Sequence, residues 1–231
     1  MIDEFAEAWS YYLIKASADL AEEQGACLWS DQTKYHNGLT PNQTYKQDVD
    51  ELVPHKERMD WRGLRDQLKS TGIRNSTLMA LMPAETSAQI SNATNGIEPP
   101  RSLVSVKQSK HGVLKQVVPS IHKLKNKYEL LWDQRSPEGY LSIMAVLQKY
   151  IDQGISVNTS YNPVFYEDEK ISMSEMLRHL MIFYKYGGKQ LYYFNTYDGQ
   201  GELDVDKLSE SSNITVPETE IEEEDCESCV I

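Results

Sequence analysis

No stretch of this 231-residue sequence is apolar over the ~18–20 residues that a bilayer-spanning helix requires, which excludes a helical membrane anchor. The amino end, "MIDEFAEAW", has no basic segment leading into an apolar one, so no export signal is read there. Triplets such as Asn42-Gln43-Thr44 are then incidental rather than glycosylation sites. A reducing, cytoplasmic location is expected. In that compartment a cysteine pair serves redox chemistry or metal binding rather than cross-linking. Cysteine is scarce, three in all. Lys and Arg are absent from Ser209 to Ile231, a segment holding eight Asp and Glu of a chain whose net charge is −12. An acidic chain lacks the cations that displace counterions from nucleic acid, so no nucleic-acid partner is expected. There is no internal repeat.

What remains is globular composition, 40% hydrophobic and 25% charged, in a chain long enough to bury a core as one large domain or two small ones. The opening segment "DEFAEAWSYYLIKASADLAEEQG" predicts a helix with Phe5, Trp9, Tyr12, Leu13, Ala16 and Leu20 as its apolar stripe and Gly25 as its stop. Residues 26–59 read as a loop-rich excursion. Asp60 caps a short helix carrying Trp61, Leu64 and Leu68, which Gly72 ends. "TLMALMP" reads as a strand buried on both faces, and "AETSAQISNATNG" as the helix that follows.

"LVSVKQSKHGVLKQVVP" predicts a β-hairpin turning at Ser109-Lys110-His111-Gly112. Helices are predicted over 120–132 and 137–153, a strand over "GISVNTSY", and a helix from the Ser172/Glu175 capping pattern to about Tyr186. Gly187-Gly188 ends that helix and "KQLYYFNT" is the last strand. Strands alternating with helices indicate an α/β architecture with a mainly parallel sheet, the hairpin being a decoration on it. The acidic tail, poor in aromatics, reads as disordered.

Three segments could carry chemistry. In "LMPAETSAQIS" a buried strand runs into a helix start, where free amides and short hydroxyls suit a phosphate; alternatively Thr86 and Ser87 only cap the helix. The missing Lys and glycine-rich loop exclude a Walker-type site. In "LYYFNTYDG" adjacent tyrosines on a regular strand point to opposite faces. A bent strand end would let Tyr192 and Tyr193 stack and relay an electron with its proton. Cys226 and Cys229 lack the further ligands of a zinc site, the strand–helix setting of a thioredoxin motif, and the position of a prenylated cysteine. A mobile dithiol remains, exchanging with other disulfides at the end of a long reach. Cys27 reads as a small buried apolar residue, and the five histidines show no ligand spacing.

These three features occur together in a known family. Through "YYLIKASADLAEEQGAC", "GIRNSTLMALMPAETSAQISNATNGIEPPR", "VLKQVVP", "YIDQGISVNTSYNP", "QLYYFNTYDG" and the closing "CESC", the chain resembles the C-terminal part of the large, catalytic alpha subunit of class I ribonucleoside-diphosphate reductase. The resemblance implies the C-terminal portion of a ten-stranded α/β barrel of two half-barrels over residues 1–208, and a flexible tail with a redox dithiol over 209–231. It implies that Pro83, Ala84, Glu85, Thr86 and Ser87 form the turn that holds the substrate diphosphate. Tyr192 matches the tyrosine beside the radical cysteine and Tyr193 its stacked neighbour. Cys226 and Cys229 match the tail pair that re-reduces the active-site disulfide.

The implied partners are a small radical-generating subunit, where a di-iron centre with a tyrosyl radical is expected, and thioredoxin or glutaredoxin; this chain itself would bind no cofactor. Ala84 stands where many relatives have Ser, Ser102 where Gly is usual, and the tail spacing is tight. The radical cysteine and the substrate-reducing pair have no counterpart, since Cys27 matches neither. A complementary N-terminal chain, as in a split subunit, is therefore expected as a further partner, with activity only in that complex. The alternative is a non-catalytic phosphate-binding or redox interaction fragment.

Overall fold

The computed structural model describes residues 1–109 and 112–198. The predicted tail and its cysteines, and the hairpin residues Lys110 and His111, lie outside the described residues. Helix α1 spans Ile2–Gln24 and stops at Gly25, whose φ is +83°. Its orientation reverses the expected one. The buried stripe is Asp3, Ala6, Glu7, Ser10, Ile14, Ser17, Ala18 and Ala21, whereas Phe5 is 67% exposed and Trp9, Tyr12 and Leu20 also face outward.

The reason is what lies beneath the helix. Glu7 accepts hydrogen bonds from Trp61 Nε1 at 3.0 Å and from Arg58 Nη1 at 2.7 Å. Asp3 accepts from Tyr150 at 2.9 Å and pairs with Arg58 and the buried Lys149. Ser17 bonds both the Asn75 amide and its side chain. Small residues and paired charges let the helix lie close, and the buried carboxylates of Asp3 and Glu7 and the Ser17 hydroxyl all have partners.

The 26–59 excursion holds 3-10 turns at Ser30–Gln32, Tyr35–Asn37 and Gln47–Glu51 and a four-residue helix α2 at Pro41–Thr44. Helix α3, Trp61–Thr71, starts as expected, with the Asp60 side chain accepting from the Gly63 amide at 2.9 Å. It ends at Gly72, where φ is +72° and a Cβ would come within 2.6 Å of Ser30 Oγ. Trp61, Leu64 and Leu68 are buried as predicted.

The predicted strand "TLMALMP" is reduced to one parallel bridge, Leu81 to Ile155. Upstream, the Leu78 and Met79 amides donate to the Asp152 carboxylate, both at 2.9 Å, so a side chain takes the donors a neighbouring strand would use. Met79 is buried, while Ala80 and Met82 are exposed. Helix α4, Glu85–Ile90, follows.

The hairpin forms as predicted, β1 at Val104–Ser109 antiparallel to β2 at Gly112–Val117. The helix expected over 120–132 does not persist. It is a short α5, Ile121–Leu124, then 3-10 turns at Lys125–Lys127 and Leu131–Asp133. Tyr128 turns extended to donate to the Pro119 carbonyl at 2.7 Å, and the Leu131 amide bonds Pro100 O at 2.9 Å. Tertiary partners replace the helical ones. Helix α6 is Glu138–Gln148 rather than 137–153, because Gln148 Nε2 bonds the Ile151 and Gln153 carbonyls and folds the chain off the axis.

Strand β3, Val157–Tyr161, helix α7, Met173–Lys185, and strand β4, Leu191–Thr196, form a parallel unit with α7 as the crossover. The Ser172 hydroxyl caps α7 by accepting from the Glu175 amide at 3.2 Å. The α/β reading holds locally, but among the described residues no closed barrel is present: the ladders are β1–β2 and β3–β4, with the Leu81–Ile155 bridge beside them. One core, including Trp61, Leu68, Ile73, Leu141, Met144 and Val157, joins α1, α3, α6 and β3. No helix among the described residues is long and apolar enough to cross a membrane.

Candidate functional site

The β3–β4 register contains the key irregularity. Val157 is opposite Leu191, but Thr159 is opposite Phe194, so β4 runs three residues where β3 runs two. The extra residue falls at Tyr192–Tyr193, a bulge of a kind rare in parallel pairs. A regular strand would send these side chains to opposite faces. The bulge instead brings the rings together, with centroids 4.1 Å apart and planes tilted by 51°. Both are open to solvent, at 50% and 56% exposure. The Tyr193 amide donates to Asn158 Oδ1 at 3.0 Å.

The strand is held from behind by buried rings. Phe194 stacks on Tyr161 at 5.9 Å and 9°. The Tyr161 hydroxyl lies 3.1 Å from His179 Nδ1, and His179 Nε2 lies 3.1 Å from Ser136 Oγ and 3.0 Å from Arg178 Nη2. A guanidinium only donates, so Nε2 accepts and the ring proton sits on Nδ1. Burial lowers the His179 pKa, with the Arg178 charge adding to it. Burial pushes the Tyr161 phenol up to about 12, helped by Tyr166. Both groups are therefore neutral at pH 7.

The predicted phosphate turn follows the Leu81 bridge. Leu81 donates to Gly154 O at 3.2 Å and accepts from Ser156 at 2.8 Å, so the run that starts β3 also holds the approach to the turn. Pro83 is half-buried and Ala84 exposed. Ala84 is the N-cap of α4 and offers no side-chain cap; its own amide donates to Asn95 O at 2.8 Å. The first-turn amides of a helix have no intrahelical acceptor. Ser87 is exposed and its hydroxyl points back to the Ala84 carbonyl at 3.4 Å, so it does not cap the amides. Glu85 and Thr86 open the helix, and their side chains lie outside the described part.

Cys226 and Cys229 are likewise outside the described residues, so the tail reading has no geometry here. Cys27 is half-buried against the core rather than fully enclosed. Among the described residues no three His, Cys, Asp or Glu side chains converge as a metal site. A cavity of about 670 Å3, lined by residues including Tyr35, Tyr45, Gln148, Lys149 and Tyr186, includes none of the predicted site residues. Sequence reasoning missed Asn158, Glu98 and His179. Asn158 Nδ2 donates to the Glu98 carboxylate, a contact across 60 residues that no local spacing signals.

The Leu81 bridge leads through a turn to the start of α4 and connects through β3 to the bulged strand that pairs two tyrosines, an α/β arrangement. The family model for the ribonucleotide reductase barrel domain matches residues 1–130 and 116–194, and the chain belongs to that family. It is 52% identical over 200 residues to the ribonucleoside-diphosphate reductase 1 subunit alpha of Salmonella typhimurium, covering 87% of this chain and 26% of that protein. The corresponding subunit alpha of Haemophilus influenzae is 54% identical over the same shares. That of Enterobacteria phage T4 is 42% identical over 88% of this chain and 27% of its own length. The chain thus spans about a quarter of the length of the curated relatives it matches.

Proposed function

We propose that this chain supplies the diphosphate grip, the tyrosine relay and the re-reducing thiols of a ribonucleoside-diphosphate reductase. The observation that carries the reading is the bulge that pairs Tyr192 with Tyr193 at 4.1 Å, in a chain of this family. Pro83 to Ser87 hold the substrate diphosphate through the free amides that open α4. Tyr193 gives an electron and a proton to the oxidant of a small partner subunit, whose di-iron and tyrosyl-radical chemistry supplies the oxidising equivalent. Tyr192 refills Tyr193, and a cysteine on the complementary part of the large subunit refills Tyr192, becoming a thiyl radical.

Reduction of the ribose oxidises two further thiols there to a disulfide. Cys226 and Cys229 reduce that disulfide by exchange and become a disulfide themselves, and thioredoxin or glutaredoxin then restores them.

The rest of the barrel comes from a complementary N-terminal chain of the large subunit. Among the described residues, two exposed apolar stripes support this requirement. One is Phe5, Trp9 and Tyr12 on α1; the other is Met173, 78% exposed, with Leu177, Met181 and Tyr184 on α7. Stripes of this kind mark surfaces that another protein surface covers.

The test combines the purified chain with that N-terminal chain, the small subunit, a ribonucleoside diphosphate and a dithiol. Deoxyribonucleoside diphosphate should form in the complete mixture and not when either large-subunit chain is omitted. Product from this chain without the complementary one would overturn the reading.

A further inference from the structure

The bulge raises a question of its own: an extra residue in a ladder leaves an amide without a main-chain acceptor, and strain at a relay costs precision. We propose that Asn158, oriented by Glu98, is the positioning residue for the tyrosine pair, its side-chain carbonyl replacing the acceptor that the bulged Tyr193 amide has lost. The inference rests on the relay reading above and adds to it the residues that hold the rings in register.

Asn158 lies between the two paired positions Val157 and Thr159, opposite the bulge. Its amide is used at both ends: Oδ1 accepts from Tyr193 N–H at 3.0 Å, and Nδ2 donates to Glu98. Because a carboxylate only accepts, Glu98 sets which way the Asn158 amide faces, leaving the carbonyl oxygen toward β4. The Asn158 main chain is fixed separately by β3, where its neighbours Val157 and Thr159 pair with β4. Glu98 is fixed too. Its carboxylate folds over Gly96, where a Cβ would come within 2.5 Å of Glu98 Oε2. The loop that carries it is tied to the phosphate turn through the Ala84–Asn95 bond. Radical transfer depends steeply on geometry, and a misplacement of about 1 Å in a reacting pair costs on the order of a hundredfold.

The experiment has two readouts. The first is hydrogen exchange at the Tyr193 amide in the full chain, which needs no catalysis. Asn158→Ala should speed exchange there about tenfold or more, while the Phe183 and Leu141 amides keep their protection. Gly96→Ala, which pushes the flexible end of Glu98 aside without touching Asn158, should give a smaller change in the same direction.

The second readout is turnover in the active complex. Asn158→Ala should lower kcat about ten- to hundredfold with KM for the ribonucleoside diphosphate unchanged. Asn158→Asp faces two carboxyl groups toward each other, so a shared proton is needed to keep the bond; its kcat should fall as pH rises, a dependence the parent lacks. Adding Glu98→Gln to Asn158→Asp restores a donor–acceptor pair and should recover kcat and abolish that dependence. Loss of fold alone would not be rescued in this way.

Unchanged Tyr193 exchange in Asn158→Ala overturns the inference, as does an unchanged kcat in a complex whose parent is active. If the parent complex makes no product, the functional reading fails instead, and the exchange measurement still decides whether Asn158 holds the bulge.

Discussion

The Tyr161 hydroxyl and His179 Nδ1 lie 3.1 Å apart in a space that solvent does not reach. This pair ties α7 to β3, and through the Phe194 stack it backs the strand that carries the tyrosines.

The pair makes stability pH-dependent. The His179 pKa is held below its ordinary 6.5 by burial first and then by Arg178, with Glu175 and Glu138 opposing. The unfolded chain therefore takes up a proton that the folded chain refuses. The stabilisation is complete above about pH 6.5 and is lost as pH falls toward the folded value. Urea midpoints of the full chain should drop between pH 7 and pH 5.5. His179→Phe should flatten that drop while costing about 1–3 kcal/mol for the stranded polar partners.

Glu7 anchors α1 through Trp61 and Arg58, and it is fully buried. Burial by itself would raise its carboxyl, but hydrogen bonds from Arg58, Trp61 and Met59 outweigh that and hold it below the usual range. Asp3 is lowered in the same way, burial being outweighed by Tyr150, Arg58 and Lys149. Their contribution is present above the ordinary carboxylate range and disappears as pH falls through the depressed folded values. Glu7→Ala should cost about 3–5 kcal/mol at pH 7 and much less in acid, which chemical denaturation at the two pH values will check.

The outward stripes of α1 and α7 give a separable prediction. Phe5→Glu together with Leu177→Glu changes only exposed positions, so thermal unfolding of the chain should hold to within about 0.5 kcal/mol per site. Co-elution with the complementary large-subunit chain should be lost. Retained co-elution would place the partner elsewhere.

The tail predicts a dependence on the reductant. Cys226→Ser or Cys229→Ser should abolish turnover driven by a protein dithiol and largely spare turnover driven by a small dithiol that enters the site directly. Equal losses with both reductants would remove the shuttle role.

Local signals were legible where one residue decides one outcome. Asp60 and Ser172 cap α3 and α7, Gly72 closes α3, and β1 pairs antiparallel with β2 as predicted. They failed where distant polar groups compete for the same backbone. The Leu78 and Met79 amides go to Asp152 rather than to a strand, and Leu131 bonds Pro100 rather than continuing a helix. The α1 stripe failed for a different reason. Periodicity shows that a helix has two faces, and size suggests which one is buried, but Arg58 and Lys149 arrive from elsewhere in the chain and make the acidic face the inner one.

By itself the sequence determined α1, α3, α7 and their stops, the β1–β2 pairing and the last two strands, because caps, glycines and apolar spacing act within a few residues. Only the tertiary structure decided that Tyr192 and Tyr193 share one face. That depends on a one-residue mismatch between β3 and β4 and on an asparagine opposite it, a relation between strands separated by the whole of α7, which no local pattern encodes.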